Sequence, residues 1–313
     1  MSKNTPKDYT KDTIRAIDAK FEAQKIAFAP LTFQAVRALL ELGLLKAVSD
    51  SGEQGISLEK AAEQTGISRY GAQTLLEIAL GMNLVKILPG TSPDKGGETR
   101  FVLGKTGWFL LEDEMTRVNF NFINDVCYKG AFELKRSIEA GKPLGLEVFG
   151  REGKTIYELL AALPEKVKES WFAFDHFYSD IGFEEALPIV FSHNPRNIID
   201  IGGNTAKWAI CCCRYNPQVE VTIVDLPGQT QAAGPAANVY VLEPFWDKQR
   251  FEAASYSLQA TSLYFTCMAN GNSKMYRYGE LAEAIERAGF DIVDARHNLG
   301  SNDYSLLCCR GKP

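Results

Sequence analysis

Apolar residues recur at helical spacing through the first third of the chain. Ile14, Ile17, Phe21, Ile26 and Phe28 predict a helix over residues 12–29. Pro30, a residue suited to a first helical turn, predicts the start of a second one through LTFQAVRALLELGLLKAV. Ser57 and Gly66 bracket a helical stretch, SLEKAAEQTG, as partial cap and stop, and a further helix, SRYGAQTLLEIALGMN, starts at Ser68. LVKIL and RFVLG, parted by a Pro/Gly-rich turn from Pro89 to Gly97, predict two short strands. Helices followed by a two-stranded wing predict a winged helix-turn-helix over residues 1–110. Residues 111–194 are expected to be mainly helical and to end in the aromatic helix EKVKESWFAFDHFYSD. After Pro195 the pattern changes to strand–helix–strand: NIIDIGG, AKWAICCCRYN and VEVTIVD. VYVLEP, SLQATSLYFTCMANG, YGELAEAIERAG, FDIVDAR and YSLLCCR then predict a strand, two helices and two strands, so residues 195–313 are expected to form an α/β domain around a parallel sheet.

Composition narrows the function classes. Hydrophobic residues make up 45% of the 313 and charged residues 23%, which suffices for a sizeable core. The formal net charge is -5, and Leu31 to Leu110 balance eight basic against eight acidic residues. A winged helix that binds DNA needs a positive face, so nucleic acid is not the expected partner. The N-terminus is polar and no run of 18 apolar residues occurs, so neither a signal peptide nor a membrane span is expected and the location is expected to be cytoplasmic. The seven cysteines include Cys211, Cys212 and Cys213 in a row and Cys308 beside Cys309. Consecutive side chains diverge, so reduced, buried thiols are expected and no metal is.

The most informative stretch is Asp200-Ile201-Gly202-Gly203-Asn204, with Asp225 ending the next strand before Leu226-Pro227. Glycines at a strand-to-helix turn let a ligand approach the backbone, and a carboxylate at the tip of the second strand can accept both hydroxyls of a ribose. The run lacks G-x-G-x-x-G spacing, and an acid precedes the glycines, which suits a cationic, amino-acid-bearing nucleoside better than a diphosphate. Trp171, Phe174, Phe177 and Tyr178 follow helical spacing and read either as core or as an aromatic lining.

On these residues the chain resembles the class I AdoMet-dependent O-methyltransferases of the two-domain kind. IDIGGN and VDLP are similar to that family's first two motifs, and MANGNSKMYRYGELAEAIERAGF is similar to the stretch before and through its last helix. The resemblance implies a Rossmann-like sheet, here shortened, with an all-α/winged-helix N-terminal dimerisation domain. It also implies a homodimer, and methyl transfer from S-adenosyl-L-methionine (AdoMet) to a hydroxyl of a small aromatic molecule. By position, Asp200, Gly202, Gly203 and Asn204 would flank the methionine part of AdoMet, Asp225 would hold the ribose, Leu226 would lie beside the adenine and Ser179 would touch the cofactor. Trp171, Phe174, Asp175, Phe265 and Met268 would face the substrate, each of them also readable as packing.

The pattern breaks after Asp225. The family places a helix, a third strand, a fourth strand and the catalytic histidine motif between VDLP and the strand corresponding to VYVLEP. Here only Gly228 to Asn238 separate them, too short a run for two strands. The general base is therefore unassigned. His176 lies in the aromatic helix, whereas His193 and His297 are expected at the surface. If the sheet lacks two strands, VYVLEP either pairs with NIIDIGG or leaves apolar edges exposed. Two readings stand at this point, an active O-methyltransferase and a non-catalytic or engineered dimeric remnant lacking part of the cofactor cleft. A winged-helix regulator with a ligand-sensing C-terminal half is a third.

Overall fold

The computed structural model describes residues 9–91, 98–150, 155–202, 205–224 and 238–312. They form two compact units, residues 9–120 and residues 121–312.

In the first unit, α1 (Ala16–Glu41) is followed by α2 (Leu44–Asp50), β1 (Ile56–Ser57), α3 (Leu58–Thr65), α4 (Arg69–Gly81), β2 (Val85–Ile87), β3 (Arg100–Leu103) and α5 (Lys105–Glu112). The capping signals hold. Ser57 accepts from the Lys60 amide and Ser68 from the Gly71 amide, while Gly66 takes the left-handed conformation that ends α3. The expected break at Pro30 does not occur, because α1 runs through it as one helix. The lost amide falls where the helix is exposed, and the Thr32 hydroxyl donates to the Phe28 and Ala29 carbonyls beside it. The break comes at Gly43, with φ 73°. β3 pairs antiparallel with both β1 and β2, and the two-residue β1 is too short for a periodicity to reveal. Leu39, Leu44, Leu45, Val48, Ala61, Ala72, Leu76 and Ala79 form a fully buried core. The outer part of α1 instead leaves Ile17, Phe21, Ile26, Phe28 and Leu31 uncovered. Among the described residues no single helix is long and apolar enough to cross a membrane.

α6 (Glu114–Phe122) leads into the second unit. There α7 (Leu134–Ala140), α8 (Ile156–Leu159), α9 (Glu165–Ser179) and α10 (Phe183–Phe191) precede β4 (Asn197–Ile201), α11 (Lys207–Tyr215) and β5 (Glu220–Val224). β6 (Asn238–Glu243), α12 (Glu252–Tyr264), α13 (Tyr278–Arg287), β7 (Phe290–Leu299) and β8 (Tyr304–Gly311) complete it. The strand–helix–strand unit is right: β4 and β5 pair in parallel, with Asp200 opposite Ile223 and Ile201 opposite Val224. The single parallel sheet is not present among the described residues. β6, β8 and β7 form a separate antiparallel sheet in the order β6-β8-β7, and β6 has no ladder to β4. Of the two outcomes expected for a shortened sheet, the structure takes the one with exposed apolar positions. Ile198 turns into a core with Val221, whereas Ile199 and Ile201 on the opposite face are 43% and 47% exposed.

All seven cysteines are free thiols, and Cys127, Cys212, Cys267, Cys308 and Cys309 are buried. Ala206, just before α11, stands at φ 64°, a left-handed conformation in which a Cβ crowds its own carbonyl. Ala206→Gly should therefore raise stability by about 1 kcal/mol, read as a higher urea midpoint at unchanged m-value.

Candidate functional site

The glycine turn stands at the carboxyl end of β4. Asp200 is half-buried on the inward face beside Ile198, close enough for its charge to act on the Cys212 thiol, which burial first and Asp200 second push up to about 12. Gly202 has φ 76°, and among the described residues nothing lies within 4 Å of where a Cβ would stand. Among the described residues the turn thus presents backbone without a side chain against it, the shape a close-approaching ligand requires. Of the other residues expected here, Gly203, Asn204, Asp225 and Leu226 lie outside the described residues. β5 ends at Val224, directly before Asp225 in sequence.

Ser179 is the last residue of α9, and its hydroxyl donates to Asp180 Oδ1 at 2.9 Å. Asp180 also meets Lys207 Nζ at 2.5 Å, and Lys207 is the first residue of α11. This ion pair ties the end of the aromatic helix to the helix that follows the glycine turn.

α9 is fixed from both sides. Ser170 donates to Asp125 at 2.7 Å, and Asn302 donates to the Phe177 carbonyl at 2.9 Å. Its aromatic face is held by two π-helical turns, Ile123–Cys127 and Phe265–Ala269, which follow Phe122 and Tyr264. Phe174 stacks on Phe122 with centroids 3.9 Å apart, and Phe265 packs on the rim of the same cluster. Trp171 is 6% exposed, and its indole N–H donates to the Tyr264 hydroxyl at 2.9 Å, so its polar atom is already satisfied inside the core. Met268 is fully buried, and a Cβ on either Gly130 or Gly145 would collide with its sulfur. The expectation that Trp171 and Met268 face a substrate is therefore corrected: the π-turn and the two glycines draw Met268 inward, and Trp171 backs the aromatic wall instead of lining it. Phe174, Asp175 and Phe265 remain half-buried. Asp175 is close to Tyr157, which burial first and the Asp175 charge second push up to about 12.

Among the described residues the three histidines have their contacts away from the glycine turn. His176 lies 3.5 Å from Asp180 and stacks on Phe172. His193 is exposed, as expected, with Nδ1 2.9 Å from the Tyr240 hydroxyl. His297 is half-buried against Ser305 at 2.8 Å, and burial, then Lys248, lowers its pKa.

Glu243 is the residue that sequence reasoning missed. It ends β6 with its side chain exposed, and the protein packed around the strand end pushes its carboxyl from an ordinary 4.5 up to about 7. Tyr304 feels Glu243 and Asp175 together, so the two carboxylates share one neighbourhood. The signal was available: VYVLEP places an acid at a strand's carboxyl end, the position that made Asp225 conspicuous. A carboxyl near 7 can accept a proton at neutral pH.

Comparison with known proteins gives a consistent architecture. Residues 20–91 match the Dimerisation2-like domain. The L-tyrosine C(3)-methyltransferase of Streptomyces lavendulae is 22% identical over 204 residues, 64% of this chain and 53% of that protein, so the chain spans about half the length of this curated relative. Among solved structures, the mitomycin 7-O-methyltransferase MmcR matches with TM-score 0.64 at 16% identity, covering 94% of this chain and 98% of that one. Human N-acetylserotonin methyltransferase, solved with SAM, matches with TM-score 0.62 at 14% identity, covering 98% of this chain and all (100%) of that one. The O-methyltransferase NcsB1, solved with SAM and 2-hydroxy-5-methyl naphthoic acid, matches with TM-score 0.58 at 15% identity over 90% and 96%. The chain thus has the fold of the SAM-dependent methyltransferases.

The raised carboxyl of Glu243 makes stability depend on pH. Between about 4.5 and 7 the native state holds a proton that the unfolded chain has released, so stability falls as pH rises through that window. Glu243→Gln should remove this slope, with a urea midpoint above wild type at pH about 8 and no advantage at pH about 4.

Proposed function

We propose that this chain is an AdoMet-dependent methyltransferase that methylates a hydroxyl on a small aromatic molecule. The observation that carries the reading is the open, left-handed Gly202 beside Asp200 at the tip of β4, with β5 running parallel to it toward Asp225. Bare backbone beside the Asp200 carboxylate, with Asp225 following β5 in sequence, fits a cationic nucleoside bearing an amino acid. Asp200, Gly202, Gly203, Asn204 and Ser179 would hold its methionine part, and Asp225 and Leu226 its adenosine. When bound, AdoMet supplies an electrophilic methyl group and departs as a neutral thioether.

The protein's own task is to orient the acceptor and take its proton. Phe174, Phe265 and Asp175 hold the acceptor against the aromatic wall that Trp171 and Met268 support from behind. Glu243 accepts the hydroxyl proton as the oxygen–carbon bond forms, and a base so placed is worth roughly 10²–10⁴-fold. The tyrosine-methylating relative favours a second acceptor atom, a ring carbon beside a phenol, which also needs a base. The exposed Ile199 and Ile201 favour the rival reading, a remnant that keeps the fold without turnover.

The uncovered residues of α1, within a segment that matches a Dimerisation2-like domain, support a homodimer through the N-terminal unit. Sedimentation should give twice the chain mass, and Phe21→Glu should shift it to the monomer. A monomeric wild type would reject the dimer.

Calorimetric titration of the full chain with AdoMet should show saturable binding, weakened about tenfold or more by Asp225→Ala. Absence of heat at millimolar AdoMet would remove the enzyme reading. If turnover is found, Glu243→Gln should lower kcat roughly 10²-fold and abolish the rise in rate through pH about 7.

A further inference from the structure

The helix that follows the glycine turn begins with a positive charge. Lys207 is the first residue of α11, directly after Ala206. The amino end of a helix is itself positive, because its first amides find no carbonyl partner inside the helix. On these two features alone the corner would select an anion.

Asp180, which follows the last residue of α9, changes that balance. Its Oδ2 accepts from Lys207 Nζ at 2.5 Å, and its Oδ1 accepts from the Ser179 hydroxyl at 2.9 Å. His176 Nδ1 stands 3.5 Å from the same Oδ1. The carboxylate therefore offsets the Lys207 charge. It also takes up the proton of Ser179, whose oxygen is left to act as an acceptor, the role an ammonium requires. Both effects turn the start of α11 from a place that repels a cation into one that tolerates it.

AdoMet and its demethylated product, S-adenosylhomocysteine (AdoHcy), differ by one methyl group and one positive charge, since the product's sulfur is a neutral thioether. A fixed charge near the turn acts on the first more than on the second. We propose that Asp180 is a positioning residue of the cofactor site, which by holding Lys207 sets the preference between AdoMet and AdoHcy. This rests on reading the glycine turn as the AdoMet site. The side chains of Lys207 and Asp180 are 45% and 30% exposed, so water screens the effect to about fivefold in affinity, and less at high salt.

The test is calorimetric titration of the full chain with AdoMet and with AdoHcy, at low and at high salt. Asp180→Asn keeps an oxygen for Ser179 and removes the charge. It should weaken AdoMet about fivefold more than AdoHcy, and the difference should shrink at high salt. Asp180→Glu should keep most of the wild-type ratio. Lys207→Gln should shift the ratio toward AdoMet, and the double variant Asp180→Asn/Lys207→Gln should bring it back near wild type. A tie between helices that serves stability alone would weaken both ligands alike, and the ratio is indifferent to such a loss. Equal weakening by Asp180→Asn overturns the proposal, as does a ratio that the double variant fails to restore. If the wild type binds both ligands and the ratio never moves, the proposal falls and the methyltransferase reading stands. If it binds neither, both fall.

Discussion

The second unit depends on one helical layer that holds two separate pieces of sheet. Leu187, Val190 and Phe191 of α10 and Cys212 of α11 pack with Val219, and onto them come Ile198 of β4, Val221 of β5 and Tyr240 of β6. Trp208 belongs to this cluster and to its neighbour, where Ala186, Tyr304 and Leu306 join it, and it lies 5.2 Å from Phe183. In an unbroken sheet, backbone hydrogen bonds would fix β6 against β4. Here side-chain packing on a common layer does so, and among the described residues the two sheets share no ladder.

This arrangement bears on the proposed site because its parts stand on different pieces. The glycine turn belongs to the β4–β5 pair and Glu243 to the β6–β8–β7 sheet. The ion pair between Asp180 and Lys207 links α9 to α11 and carries the aromatic wall toward the glycine turn. A parallel pair is ordinarily covered on both faces, and the exposed Ile199 and Ile201 show where this one is covered on a single side.

Much of this was legible in the chain. The caps at Ser57 and Ser68, the parallel pair after Pro195 and the aromatic helix follow from local chemistry that tertiary packing does not override. Pro30 misled because a helix loses only one bond at an exposed proline, whereas Gly43 ends it through its left-handed backbone. The inward turn of Met268 was not legible, since it depends on Gly130 and Gly145, far away in sequence, leaving room for one sulfur. Glu243 escaped because its raised carboxyl comes from the protein that the fold packs around the end of β6 and not from any neighbour in the sequence. The short interval after Asp225 did reveal a sheet with missing strands, though not which of two outcomes the chain would take.

Amide hydrogen exchange along β4 and β6 tests the central claim most directly. Two sheets without a shared ladder leave the outward-pointing amides of each facing edge unbonded, so slow and fast exchange should alternate along both strands. Uniformly slow exchange at every amide of Ile198–Ile201 and Val239–Leu242 would mean that the strands are paired on both sides, and would contradict the divided sheet.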